Sequence, residues 1–173
     1  MGNVYRLNIP TSGLRLSRPT HCGIFNGNII NWNDARIRAD NGGAIIAANK
    51  PLKVVRRSDN SGSTFVLSSH LNTVCKPAAT PGISLISAWN RGVGFISYTP
   101  NPDGPLCPYF RPPGVCCPRG FLSASGGSGV ASAIAANAGA IGYVDSATQL
   151  ARSLPAAVLR NKAGNYIRAT WHY

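Results

Sequence analysis

Val54–His70 reads VVRRSDNSGSTFVLSSH. With Leu52 and Lys53 ahead of it, Val54-Val55 completes a short, β-branched apolar run of the kind that forms a buried strand. Two arginines close that strand. Ser58-Asp59-Asn60-Ser61-Gly62-Ser63-Thr64 follows, polar and with strong turn character. Leu67, Leu71 and Val74 then fall at i, i+4 and i+7, one apolar face of a helix. The order is strand, polar loop, helix start, with arginine at the strand end. A helix start offers unpaired N–H groups and the positive end of the dipole, and small residues let an anion approach the backbone. Arginine adds a bidentate fork suited to a tetrahedral oxyanion. The stretch predicts half of an anion cage. It is not a P-loop, because no Gly-Lys-Ser/Thr follows the glycine.

Upstream, Val4–Ile9 reads as a strand and Pro10–Ser17 as a polar connection. Pro19–Phe25 suits a short helix with proline in its first turn. Asn33-Asp34 can cap a second helix, Ala35–Asp40, which Asn41-Gly42-Gly43 ends. Trp32 reads as a packing anchor, and Ala44–Ala48 as strand-like although alanine favours helix. Downstream, Lys76–Gly82 is a loop and Ile83–Ala88 a weakly alternating strand. Seven prolines between Thr99 and Gly120 forbid continuous helix and central strand alike, so this stretch is read as an irregular insertion. Gly126-Gly127-Ser128-Gly129 is a glycine turn opening a helix over Val130–Asn137. Ala140–Val144 is a buried strand, Asp145–Ser153 a helix, Ala156–Leu159 a strand, Asn161–Gly164 a turn and Asn165–Thr170 a last strand. Strands alternating with helices predict an α/β layer with a parallel component.

The length of 173 residues suits one domain, and 44% hydrophobic residues allow a real core. Seventeen lysines and arginines stand against five acids, all aspartate, for a net charge of +12. Such a surface attracts phosphates, nucleic acid and anionic membranes without selecting among them. Five scattered aspartates leave little for two-carboxylate catalysis. No stretch approaches the length of a membrane span, and Met1–Pro10 lacks the basic and apolar regions of a signal peptide.

The central stretch resembles the substrate-binding proteins of phosphate ABC transporters, including the related DING proteins. Their signature, an apolar strand and then Arg-x-Asp-Gly-Ser-Gly-Thr at a helix start, stands here as Arg57-Ser58-Asp59-Asn60-Ser61-Gly62-Ser63-Thr64. Gly23–Asp34, GIFNGNIINWND, is similar to the family's "IF-x-G-x-I-x-x-W-x-D" stretch, Gly126–Val130 to its glycine-rich turn, and Gly139–Val144 to its "GxIGYV" strand. Together these cover roughly residues 14–145 and match the second lobe of a two-lobed protein. The first lobe has no counterpart.

The resemblance implies one lobe of a type II periplasmic-binding-protein fold, a single α/β domain over residues 1–173. The expected sheet is mixed and flanked by helices, with the Pro/Cys-rich insertion at about 99–120. It implies inorganic phosphate as ligand, no cofactor, no metal, and capture without chemistry. Arg57 takes the place of the charged ligand, with the Ser61 and Ser63 hydroxyls and the Gly62 and Ser63 N–H groups as donors. Asp59 holds the guanidinium, and Arg56 turns to solvent or to the opposite sheet face. Asn60 departs from the usual glycine, and Ser63 keeps a hydroxyl. Gly126, Gly127 and Ser128 are either further anion donors or only a tight helix start. A Cys22–Cys75 disulfide follows from relatives that carry cysteines near both places. Cys107, Cys116 and Cys117 have poor spacing for zinc. The other wall of the cage, including the carboxylate that accepts the phosphate proton, belongs to the absent lobe or to a partner chain. Family members work in the periplasm or outside the cell. A phosphatase-like or regulatory role is an alternative, although Ser61 and His70 are separated by a helix. A basic polyanion- or nucleic-acid-binding module is another, although the aromatics are sparse and not interleaved with the arginines.

Overall fold

A computed structural model describes residues 2–5, 13–83, 89, 93 and 121–168, the first four by backbone alone. Three parallel strands form the centre of the larger sheet. β3 (Lys53–Arg57) pairs parallel with β4 (Phe121–Ala124) on one side and with β5 (Ala140–Val144) on the other. β1 (Gly2–Tyr5) adds antiparallel to β5, giving the order β1-β5-β3-β4. The sheet is mixed, as expected of this α/β class.

Alternation along β3 separates two apolar layers. Val54 faces one with Ile141 and Tyr143, where α1 (Arg18–Phe25) and α3 (Gly62–Val74) contribute Ile24, Leu67 and Leu71. Val55 faces the other with Ala140 and Val144, covered by Val130 and Ile134 of α4 (Gly126–Ala136). Helices therefore cover both faces. This explains why β5 reads as an unbroken apolar run rather than an alternating one, and why Val54 and Val55 are both buried.

α2 (Ala35–Asp40) begins at Asp34, whose side chain accepts the Arg36 N–H at 2.9 Å, and ends at Asn41 ahead of two positive-φ glycines. Trp32 is fully buried and its Nε1–H donates to the Gly139 carbonyl at 2.8 Å, tying this segment to the foot of β5. α5 (Ser146–Ala151) starts at its cap Asp145. A smaller sheet joins β2 (Arg15–Leu16), β6 (Val158–Arg160) and β7 (Tyr166–Ile167) in the order β2-β6-β7. Cys22 in α1 and Cys75 at the end of α3 are disulfide-bonded, with Cα atoms 5.6 Å apart.

Three expectations change, and one strand is added. Residues 44–48 form turns and bends instead of a strand, between the positive-φ pair Gly42-Gly43 and Asn49 at φ 50°; three alanines give this stretch little β preference. Arg15–Leu16 is a strand rather than part of a loop, because it has β6 to pair with. The glycine turn is itself the first turn of α4, which starts at Gly126. Phe121–Ala124, unassigned in the sequence reading, is the fourth strand of the larger sheet. The expected strand Ile83–Ala88, except for its first residue, and the insertion at about 99–120 with its three cysteines lie outside the described residues.

Candidate anion-binding site

Because β3, β4 and β5 run parallel, their carboxyl ends share one edge of the sheet, and α3, α4 and α5 all begin there. In open α/β sheets this edge is where ligands bind. Arg57 is the last residue of β3, and Ser61 is the cap of α3: its hydroxyl oxygen accepts the Thr64 N–H at 3.2 Å. The capping engages the third N–H of the helix and leaves those of Gly62 and Ser63 without a carbonyl one turn back. Gly62 is exposed, and nothing lies within 4 Å of the place a Cβ there would occupy. An anion can therefore reach the backbone at the helix start.

Asp59 grips Arg57 side-on. Arg57 Nε donates to Asp59 Oδ1 at 2.7 Å, and Arg57 Nη2 donates to Asp59 Oδ2. The hydrogen bonds from Arg57, with a further one from the Gly126 N–H at 3.1 Å, hold the Asp59 carboxyl far below the usual carboxylate range. The same pairing raises the guanidinium pKa, so Arg57 stays charged at any physiological pH. Among the described residues Arg57 Nη1 has no hydrogen-bond partner, and the Arg57 side chain keeps 15% of its surface in solvent. One edge of the fork is fixed by Asp59 and the other is not.

The start of α4 is differently used. The Gly126 N–H donates to Asp59 Oδ1 at 3.1 Å and is engaged there. A Cβ on Gly127 would come within 3.0 Å of Asp145 Oδ2, so a second carboxylate stands over this helix start. Asp145 accepts from the Thr148 N–H and hydroxyl, both at 2.8 Å; these bonds, with a smaller pull from Arg57, hold its carboxyl below the usual range. With one donor engaged and two carboxylates adjacent, Gly126–Ser128 has the geometry of a tight helix start rather than of a second anion cradle.

Arg56 is buried rather than solvent-facing, only 9% exposed, on the Val54 side of the sheet. Its Nη1 donates to the Arg57 carbonyl at 3.0 Å, and burial lowers its pKa, with Tyr143 acting against that. The sequence reading missed Tyr143. Its hydroxyl accepts the Arg57 N–H at 3.2 Å and lies 2.6 Å from Thr64 Oγ1, joining the end of β3 to the first turn of α3. A tyrosine inside an otherwise apolar buried strand was the available signal, since a buried phenol needs a partner.

The family model for the PBP superfamily domain matches residues 4–171. The chain belongs to the PBP superfamily. Within that superfamily it is similar to the phosphate-binding protein PstS of Xylella fastidiosa, 31% identical over 161 residues that cover 93% of this chain and 36% of the relative. PstS of Pasteurella multocida is 31% identical over 170 residues, 96% of this chain and 41% of the relative. Among solved structures, PfluDING, a high affinity periplasmic phosphate-binding protein, superposes with TM-score 0.58 at 22% identity, covering 95% of this chain and 38% of that one. A phosphate-binding protein from Stenotrophomonas maltophilia superposes with TM-score 0.52 at 26% identity, covering 83% and 34%. This PBP-superfamily chain thus spans less than half the length of each of these relatives. No helix among the described residues is long and apolar enough to cross a membrane.

Proposed function

We propose that this chain captures inorganic phosphate as one half of a two-walled site, in the manner of the PstS proteins it is similar to. The observation that carries the reading is Arg57, clamped by Asp59 at the mouth of α3 with Nη1 turned away from the clamp. Beside it the Gly62 and Ser63 N–H groups and the Ser61 and Ser63 hydroxyls complete a set of donors. Each charge-assisted bond contributes about 1.5–3 kcal/mol when sheltered, but a one-walled site stays open to water and salt. Affinity in the millimolar range, about −4 kcal/mol, is the expectation. A second lobe or a partner chain supplies the facing wall and raises affinity by excluding water. The setting is the periplasm or the cell exterior, as for the relatives. Capture needs no bond to be made or broken, and among the described residues the three α-helix starts at this edge carry no nucleophile–histidine pair.

Titration calorimetry with phosphate at low ionic strength tests this. Arg57→Ala should remove measurable binding, while a variant exposed at the far end of α3, Thr73→Ala, should not. Unchanged affinity in Arg57→Ala would place the anion elsewhere.

A further inference from the structure

The smaller sheet, built from other strands than those that carry the Arg57 edge, has a charged face. Its register sets Arg15 opposite Val158 and Arg160 opposite Tyr166. Residues two apart on a strand share a face, so Arg15, Val158, Arg160 and Tyr166 lie together, and Leu16 is buried from the other side. The Arg15 guanidinium lies over the Tyr166 ring, 5.5 Å from its centroid. Its backbone is pinned twice: Asn41 Oδ1 accepts the Arg15 N–H, and Asn41 Nδ2 donates to the Arg15 carbonyl, both at 3.0 Å. Arg160 is held as well, its Nε donating to the Gly164 carbonyl at 3.0 Å. Arg168, two residues beyond Tyr166, approaches Gly13, with Nη2 3.4 Å from the position of a Cβ there. Arg15, Arg160, Lys162 and Arg168 are all exposed. Among the described residues one carboxylate, Asp40, faces the cluster, and its Oδ2 accepts the Ser17 N–H at 2.6 Å. Burial and then Asp40 push the Tyr166 hydroxyl up, and Arg160 and Arg15 pull it down, which gathers all of these groups around one ring.

We propose that this face binds single-stranded nucleic acid. Arg15, Arg160 and Arg168 contact phosphates, and a base extends the stack of Arg15 on Tyr166. Guanidinium forks match phosphate oxygens, and a guanidinium plane backed by an aromatic ring accepts any base. Arginines already held in place lose less freedom on binding than freely rotating ones. A sulfated glycan would use the charges but gain nothing from the ring. The aromatic lies between arginines in space although Arg15 and Tyr166 stand at opposite ends of the chain, so sheet pairing creates the interleaving. The proposal is independent of the phosphate site.

The test is fluorescence anisotropy of a labelled oligothymidylate with the intact chain across a salt series, beside retention on heparin. Arg15→Gln with Arg160→Gln should weaken oligonucleotide binding about tenfold and flatten the log–log salt slope by about 1.4, at about 0.7 for each single-strand phosphate contact. Calorimetric phosphate affinity should stay unchanged in that variant. Tyr166→Leu should weaken oligonucleotide binding several-fold and leave heparin retention as it was. If the double variant fails to fold by circular dichroism, Arg168→Gln alone should flatten the slope by about 0.7. Unchanged slopes in folded variants overturn the proposal. So does loss of oligonucleotide binding in Arg57→Ala, which would locate the polyanion at the phosphate edge. A Tyr166→Leu variant that binds the oligonucleotide like the parent, or loses heparin equally, also overturns it, because the face would then read charge alone.

Discussion

The Tyr143 hydroxyl sits where β3 ends and α3 begins, between the Arg57 N–H and Thr64 Oγ1. Its ring packs edge-on against Phe25 with centroids 6.4 Å apart. Tyr143→Phe keeps that packing and leaves two polar groups at the base of the anion loop without their partner. We expect a stability loss of about 1–3 kcal/mol, read by urea unfolding, and a several-fold weaker phosphate affinity by calorimetry. Parent-like affinity would show that the hydroxyl serves the fold alone. His21 raises a question of pH. It is buried between Phe25, at 5.0 Å, and His70, at 5.7 Å. Burial first, and His70 second, lower its pKa to about 3. The unfolded chain therefore binds a proton at this histidine near pH 6.5 that the folded chain refuses until about pH 3. Stability is full above pH 6.5 and falls as pH drops through that window, by at most about 1.4 kcal/mol per pH unit. His70, also lowered by burial, acts in the same direction. Urea titrations between pH 7 and about pH 4 should show a shallower loss in His21→Gln than in the parent; equal slopes would mean that this imidazole protonates without unfolding.

At the scale of elements, the main covalent link is Cys22–Cys75, which closes a 53-residue separation and ties α1 to the end of α3. The Trp89 N–H donates to the Cys75 carbonyl at 2.8 Å, so the same point anchors the chain leaving α3. Loop-closure entropy for that length gives about 4 kcal/mol of stabilisation. Cys22→Ala with Cys75→Ala should lower the urea unfolding free energy by that order, and reductant should bring the parent to the same value. A parent indifferent to reductant would mean that core packing alone sets α1 against α3. The helix starts show a division of labour. Asp34 and Asp145 each cap their own helix with a carboxylate, whereas α3 is capped by the neutral Ser61, its nearby Asp59 carboxylate is engaged by Arg57, and nothing lies within 4 Å of the place a Gly62 Cβ would occupy. Three helices begin at one sheet edge, and under the proposed function the local charges favour the start of α3 for an anion.

At the scale of the whole molecule, the proposed site has one wall among the described residues. Both oxygens of Asp59 are engaged by Arg57, one of them also by Gly126, and both oxygens of Asp145 are engaged by Thr148. Neither carboxylate is placed to accept the proton that distinguishes hydrogen phosphate from sulfate. Sulfate and phosphate should therefore compete within about tenfold, roughly 1.4 kcal/mol, in a calorimetric displacement. A thousandfold preference for phosphate would mean that one of these aspartates leaves its partners, or that a second chain contributes an acid. The sequence alone determined what lies within a few residues of itself: the strand–loop–helix of the anion motif, the Asp59 clamp on Arg57, and the Asp34 cap. Such bonds close between neighbours in the chain, so residue order encodes them. Tertiary structure decided the rest. Phe121–Ala124 is a strand because β3 offers it a ladder, Arg56 is buried because α1 and α3 cover that sheet face, and residues 44–48 have no strand to pair with among the described residues. Tyr143 reaches Arg57 across 86 residues, and Gly126 reaches Asp59 across 67. Contacts over such separations depend on which strands pair and which faces are buried, and no local pattern of residues carries that information.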